Sequence, residues 1–110
     1  MHIIKTLLTL LLCLSSINAF ADGDYKRGKT LAYTCSGCHG IVGYNNVYPT
    51  YRVPRIGGQN KDYLVIALKA FKTGERQHKT MNLQASALSD QDIEDIAVYL
   101  AGQTRNTGAE

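Results

Sequence analysis

The chain has 110 residues, with 12 lysines and arginines against nine aspartates and glutamates. This length predicts a single domain, and the near balance of charge gives no indication of a nucleic-acid-binding protein. Basic side chains concentrate in residues 22–88 and acidic side chains in residues 89–110, so the two signs of charge are separated along the chain.

Residues 1–21 have the form of a secretory signal peptide. Lys5 gives a positive start, an apolar run follows from Leu7 to Leu14, and residues 19–21 read Ala-Phe-Ala, a small-x-small cleavage site. The apolar run is shorter than the roughly 20 residues that span a bilayer. We therefore expect an exported domain of residues 22–110 that is soluble in the periplasm.

The first helix is predicted to begin at a cap formed by Asp22 or Asp24 and to run to about Thr34. It would end where a cysteine motif begins. Residues 40–58 are rich in Gly, Asn, Pro and Tyr and show no sustained helical or strand period, which predicts a long irregular loop. A loop of this length in a small domain usually covers or binds something.

Two further helices are predicted from stronger signals. Asn60 can cap a helix that runs to about Lys72 and ends at Gly74. Ser89 begins the last helix in a Ser-x-x-Asp sequence, and apolar residues at helical spacing continue to about Ala101. The segment between Gly74 and Ser89 has no period and is predicted to be irregular. Since no strand pattern is visible, the predicted fold class is all-α.

Residues 35–39 read Cys-Ser-Gly-Cys-His. A structural zinc site needs four ligands, and His78 is the only further Cys or His after the predicted signal peptide. A thioredoxin-like dithiol needs a preceding strand, and a simple disulfide makes no use of the histidine. Covalent haem attachment uses all three residues, because Cys35 and Cys38 would form two thioethers and His39 would bind the iron. The motif therefore favours one haem c.

Three stretches resemble the class I c-type cytochromes, and in particular one half of a di-haem cytochrome c4. They are GDYKRGKTLAYTCSGCHG, PRIGGQNKDYLVIALKAFKTGERQ and LSDQDIEDIAVYLAG. The resemblance implies a class I cytochrome c fold, in which three to five helices wrap around one covalently bound haem. The chain has a single Cys-x-x-Cys-His motif where a di-haem protein has two, so it is similar to a mono-haem, cytochrome c553-like protein.

The resemblance also implies the residues around the iron. Cys35 and Cys38 would carry the haem, and His39 would be one axial ligand. Met81, the only methionine after the predicted signal peptide, stands where the family has its second axial ligand; without the resemblance, a lone methionine would be interpreted as core filling. Pro54 matches a family proline whose carbonyl accepts the Nδ1 proton of the axial histidine, although loop rigidity is an equally simple role.

These expectations together describe a periplasmic one-electron carrier with His/Met-ligated haem iron and no catalytic residues. Its redox partners would be membrane complexes such as a cytochrome bc complex and a terminal oxidase, with no nucleic acid and no stable membrane insertion. His78 is the competing ligand to Met81 and is otherwise interpreted as a solvated loop residue. Two other functions stay open: the cytochrome subunit of a periplasmic dehydrogenase, and a haem-based ligand-binding enzyme or sensor.

Overall fold

The computed structural model describes residues 22–40 and 53–103, and within them it contains five helices and no strand. The helices are α1 (Tyr25–Leu31), α2 (Tyr33–His39), α3 (Lys61–Thr73), α4 (Lys79–Ser86) and α5 (Asp90–Ala101). α1 packs against α5, and α3 packs against both α4 and α5. The predicted all-α class is therefore confirmed.

Part of the sequence-based prediction lies outside the described residues. This holds for the signal peptide at residues 1–21 and for residues 41–52 of the predicted long loop. In the part of the chain that is described, no helix has the length and apolar character needed to cross a membrane.

Three of the helices begin at the predicted caps. Asp24 caps α1, Asn60 caps α3 and Ser89 caps α5, each accepting a hydrogen bond from a backbone N–H of the first helical turn. At α5 the bonding is reciprocal, because the side chain of Asp92 accepts the N–H of Ser89 at 2.8 Å. Gly74 ends α3 in the left-handed conformation, with φ of 81°. The second and last predicted helices are thus confirmed at both ends.

The prediction that the first helix ends near Thr34 is wrong, because the cysteine motif is itself helical. Only Ala32 separates α1 from α2, and α2 continues to His39. Gly40 then ends α2 with φ of 58°, a conformation that glycine adopts without steric cost. The motif therefore forms the last turns of a helix and not the beginning of a loop.

The prediction that the chain is irregular between Gly74 and Ser89 is also wrong, because α4 lies there. Its apolar pattern is weak, since Leu83 is 72% exposed and Ala85 is its one buried residue. Its N-cap is His78, which is not among the residues preferred at that position. α4 therefore lacks both sequence signals that predict a helix, which are an apolar period and a preferred N-cap residue.

The apolar core is small and lies along α5. Ile93, Ile96 and Leu100 are the largest fully buried apolar side chains among the described residues. α1 approaches this helix so closely that Gly28 has no room for a side chain, since a Cβ there would lie 1.9 Å from the carbonyl oxygen of Asp95. Asp95 is itself buried, and no sequence signal indicated a structural role for it.

The carboxylate of Asp95 joins α5 to the beginning of α1. It accepts the N–H of Asp24 at 2.7 Å and the side-chain amide of Gln91 at 2.9 Å, and it pairs with the guanidinium of Arg27. Burial alone would raise the pKa of Asp95, but the hydrogen bonds from these three donors hold it below its usual value. The first and last helices are therefore connected by a charged, fully hydrogen-bonded group.

Gly28→Ala should lower the free energy of unfolding by about 3 kcal/mol, because the new methyl group would meet the backbone of α5. Urea denaturation of the purified protein measures this. Thr30→Ala changes an exposed position of the same helix and should alter the free energy of unfolding by less than about 0.5 kcal/mol. Equal stability of the two variants would contradict the importance of the close approach.

Asp95 should make the protein lose stability in acid. Because the pKa of Asp95 is lower in the folded protein than its ordinary value of 3.8, its stabilising contribution is complete above about pH 4 and is lost as the pH falls further. Asp95→Asn should lower the free energy of unfolding at pH 7 by about 1.5 kcal/mol and weaken this acid dependence. Glu75→Gln, at an exposed position, is the control, and an unchanged acid profile in Asp95→Asn would assign the effect to other carboxylates.

Candidate functional site

The two cysteines of the motif lie one helical turn apart on α2, so their side chains emerge on the same side of that helix. Cys35 packs against the apolar core, whereas Cys38 is exposed, and both are free thiols. Burial raises the pKa of the Cys35 thiol above its ordinary value. Ser36 between them is buried and donates its hydroxyl to the carbonyl of Ala32 at 3.2 Å, which fixes the turn that carries both thiols.

His39 is the last residue of α2 and is 8% exposed. Its Nδ1 lies 2.6 Å from the carbonyl oxygen of Pro54. Because a backbone carbonyl only accepts hydrogen bonds, Nδ1 carries a proton, and Nε2 is the ring nitrogen that can bind a metal. This is the contact that the resemblance implied for Pro54, while iron binding by His39 stays a prediction.

The segment that carries Pro54 is attached to α5. Ile56 packs against the core, and the N–H of Gly58 donates to the carbonyl of Leu100 at 2.8 Å. The N–H of Gln59 then bonds to the carbonyl of Ile56 at 3.2 Å, closing a turn directly before α3. The carbonyl that orients His39 is therefore positioned by the same helix that packs against α1.

Met81 lies on a different part of the structure from the cysteine motif. It is half-buried in the first turn of α4, and among the described helices α4 packs only against α3. The structure thus brings His39 and Pro54 together, but no contact between helices joins Met81 to α2. The role of Met81 as an axial ligand stays a prediction.

Two residues beside Met81 have roles that sequence reasoning did not identify. His78 is exposed and precedes α4, as expected of a solvated loop residue, and its Nδ1 also accepts the N–H of Met81 at 3.2 Å, which caps α4. The side chain of Asn82 makes three hydrogen bonds to backbone groups. An asparagine next to a methionine belongs to no motif, so only the structure reveals this role.

The donor groups at α2 suit a porphyrin better than a bare metal ion. Within residues 22–40 and 53–103, no three Cys, His, Asp or Glu side chains come close enough together to hold a metal ion. Two thiols on one side of a helix, followed by an imidazole whose Nε2 is not engaged by Pro54, fit two thioether bonds and one iron ligand. The helices of the described residues and this donor set are those of a class of protein that binds haem covalently.

Comparison with known proteins agrees with this class. The family model described as Cytochrome c matches residues 25–104. The chain therefore belongs to the cytochrome c family, and this membership implies covalently bound haem c as its cofactor.

Three relatives show which members of the family this chain resembles in sequence. Cytochrome c4 of Pseudomonas aeruginosa is 38% identical over 105 residues, covering 94% of this chain and 51% of that protein. Cytochrome c-554(548) of Halomonas halodenitrificans is 38% identical over 84 residues, covering 74% of this chain and 98% of that protein. The cytochrome subunit of sulfide dehydrogenase of Chlorobaculum tepidum is 32% identical over 80 residues, covering 73% and 69%. The chain thus spans about half the length of the cytochrome c4 and resembles one half of it.

Substitution of both Cys35 and Cys38 by Ala should abolish covalent haem, because no other free thiol is present among the described residues. Haem staining after denaturing electrophoresis and extraction with acidified acetone measure the bond. Ser36→Ala alters the same turn without removing a thiol and should keep the haem covalently attached. Haem extracted from the wild-type protein under these conditions would contradict attachment through this motif.

Proposed function

We propose that the protein is a periplasmic mono-haem electron carrier that moves one electron at a time between respiratory membrane complexes. The observation that carries the proposal is the hydrogen bond from His39 to Pro54, which leaves a single imidazole nitrogen free beside two thiols. A cytochrome bc complex as donor and a terminal oxidase as acceptor are the partners proposed. Export is supported by the signal-like character of residues 1–21.

In the proposed mechanism, a few residues would hold the haem and bind its iron. Bound haem supplies the one-electron couple of its iron. Cys35 and Cys38 would hold the cofactor through thioethers, and His39, oriented by its hydrogen bond to Pro54, would bind the iron through Nε2. Met81 would supply a soft thioether to the haem iron, and thioether ligation would favour the reduced state and raise the reduction potential. Ligation of the iron by both His39 and Met81 would leave no coordination position for a substrate.

The position of Met81 supports it over His78 as the distal ligand. The ring nitrogen Nδ1 of His78 is already engaged with the N–H of Met81, within the first turn of α4. The side chain of Met81 is half-buried, whereas His78 is exposed. His78 therefore suits a capping role, and its replacement should weaken α4 without removing the ligand.

Met81→Ala should abolish the weak far-red absorption band of sulfur-ligated ferric haem, lower the reduction potential and admit exogenous imidazole to the iron. His78→Ala should keep the band, while lowering the free energy of unfolding by about 1 kcal/mol through loss of the cap. Absorption spectra measure the band and the binding of imidazole, redox titration measures the potential, and urea denaturation measures the free energy of unfolding. The opposite pattern would identify His78 as the ligand, and a wild-type iron open to imidazole would favour a ligand-binding enzyme or sensor.

A second candidate function is the cytochrome subunit of a periplasmic dehydrogenase. It is favoured by the relative from Chlorobaculum tepidum and by a thiosulfate dehydrogenase electron acceptor of Thiomonas intermedia, which is 34% identical over 79 residues. The haem chemistry would be the same, and only the partner would differ. Purification from the native organism without detergent separates the two, because a dedicated subunit co-elutes with its enzyme in fixed proportion and a free carrier elutes alone.

A further inference from the structure

The inference concerns Asn82, which directly follows the proposed ligand Met81. Its side-chain amide nitrogen donates to the carbonyl of Phe71 at 2.7 Å and to the carbonyl of Arg76 at 2.8 Å. Its side-chain oxygen accepts the N–H of His78 at 2.8 Å. Both N–H groups and the oxygen of this one amide are therefore bonded to backbone.

The three partners belong to consecutive parts of the chain. Phe71 lies in the last turn of α3, Arg76 lies in the turn of residues 74–78, and His78 is the N-cap of α4. Backbone groups at helix ends lack their usual partners within the helix, and capping backbone groups, side chains or water bond to them instead; the carbonyl of Phe71, for example, also accepts the N–H of Gly74 at 3.3 Å. Asn82 supplies such partners at the end of α3, in the 74–78 turn and at the beginning of α4. Its side chain thereby fixes how α4 follows α3.

Hydrogen bonds of the neighbouring residues His78 and Asn82 hold the backbone around Met81. Its N–H donates to the ring of His78, and the N–H of His78 donates to the side chain of Asn82. The backbone N–H of Asn82 also bonds to the carbonyl of His78 at 2.8 Å, as the first turn of α4 requires. The bonds are reciprocal, like those of a capping box, but they use a histidine and an asparagine.

We propose that Asn82 is a positioning residue, whose side chain fixes the helix turn that presents Met81 to the iron. The inference rests on the proposed function, because it takes Met81 as the axial ligand. The structure offers few alternatives for holding α4, since Leu83 is 72% exposed, Ala85 is its one buried residue, and α4 packs against no described helix other than α3. The position of Met81 therefore depends on hydrogen bonds more than on apolar packing.

Aspartate is the sharpest substitution at this position because it has almost the same shape. A carboxylate cannot donate to the carbonyls of Phe71 and Arg76, and its second oxygen would face those two carbonyl oxygens. It could still accept the N–H of His78. Asn82→Asp therefore removes the connection to α3 and the 74–78 turn while keeping the cap of α4, and Asn82→Ala removes both.

The experiment compares holoprotein variants by the far-red band, the reduction potential and the affinity of the ferric protein for imidazole. Asn82→Asp and Asn82→Ala should weaken the band, lower the potential and increase imidazole affinity about ten-fold or more, because Met81 leaves the iron more often. Ser89→Ala is the matched control, since it removes the N-cap of the neighbouring helix α5. It should lower the melting temperature without changing the band, the potential or the imidazole affinity.

The reference variant Met81→Ala distinguishes failure of this inference from failure of the proposed function. If Met81→Ala abolishes the band while both Asn82 variants behave like Ser89→Ala, Met81 is the ligand and the positioning role of Asn82 is overturned. If Met81→Ala leaves the band and the potential unchanged, the ligand assignment and the inference that depends on it are both wrong. Loss of the band in the Asn82 variants, at a melting temperature like that of Ser89→Ala, supports the positioning role.

Discussion

The described structure depends on the close approach of the first helix to the last. Contact between α1 and α5 requires a residue without a side chain at Gly28, and it is completed by the carboxylate of Asp95, which accepts hydrogen bonds from the beginning of α1. Since only Ala32 separates α1 from α2, the contact also sets the direction in which α2 leaves the core. The position of the cysteine motif and of His39 therefore depends on the packing of α1 against α5, although these residues belong to neither helix.

The two proposed axial ligands are held in physically different ways. On the side of His39, Cys35 packs against the core and the segment carrying Pro54 is bonded to the end of α5. On the side of Met81, α4 is short, largely exposed and joined to the rest of the described structure through α3. Elements with few buried apolar contacts open locally at lower free energy than the core does. Motion around the proposed iron site should therefore begin at α4.

The sequence predicted those features that have a local chemical cause. Asn60 and Ser89 carry side chains that accept backbone N–H groups, so the starts of α3 and α5 could be predicted, and the Cys-x-x-Cys-His spacing identified the site. The helical form of the motif was missed because residues 33–39 have no apolar period. α4 was missed because histidine is not a preferred N-cap residue, and because Asn82 bonds to Phe71, eleven residues earlier, in a contact that no motif predicts. Asp95 was missed for a similar reason, since its partners at the start of α1 are far away in sequence.

The hydrogen bond between the N–H of Asp24 and the carboxylate of Asp95 joins positions 71 residues apart. The segment between these two residues is therefore a closed loop that contains most of the described chain. The entropy lost in closing such a loop grows only with the logarithm of its length, and doubling the length adds about 0.6 kcal/mol. Insertions between the two ends should therefore be tolerated as long as the ends still meet. A longer connection between two helices adds little to the entropy of closing this loop, and the contact between α1 and α5 stays the same.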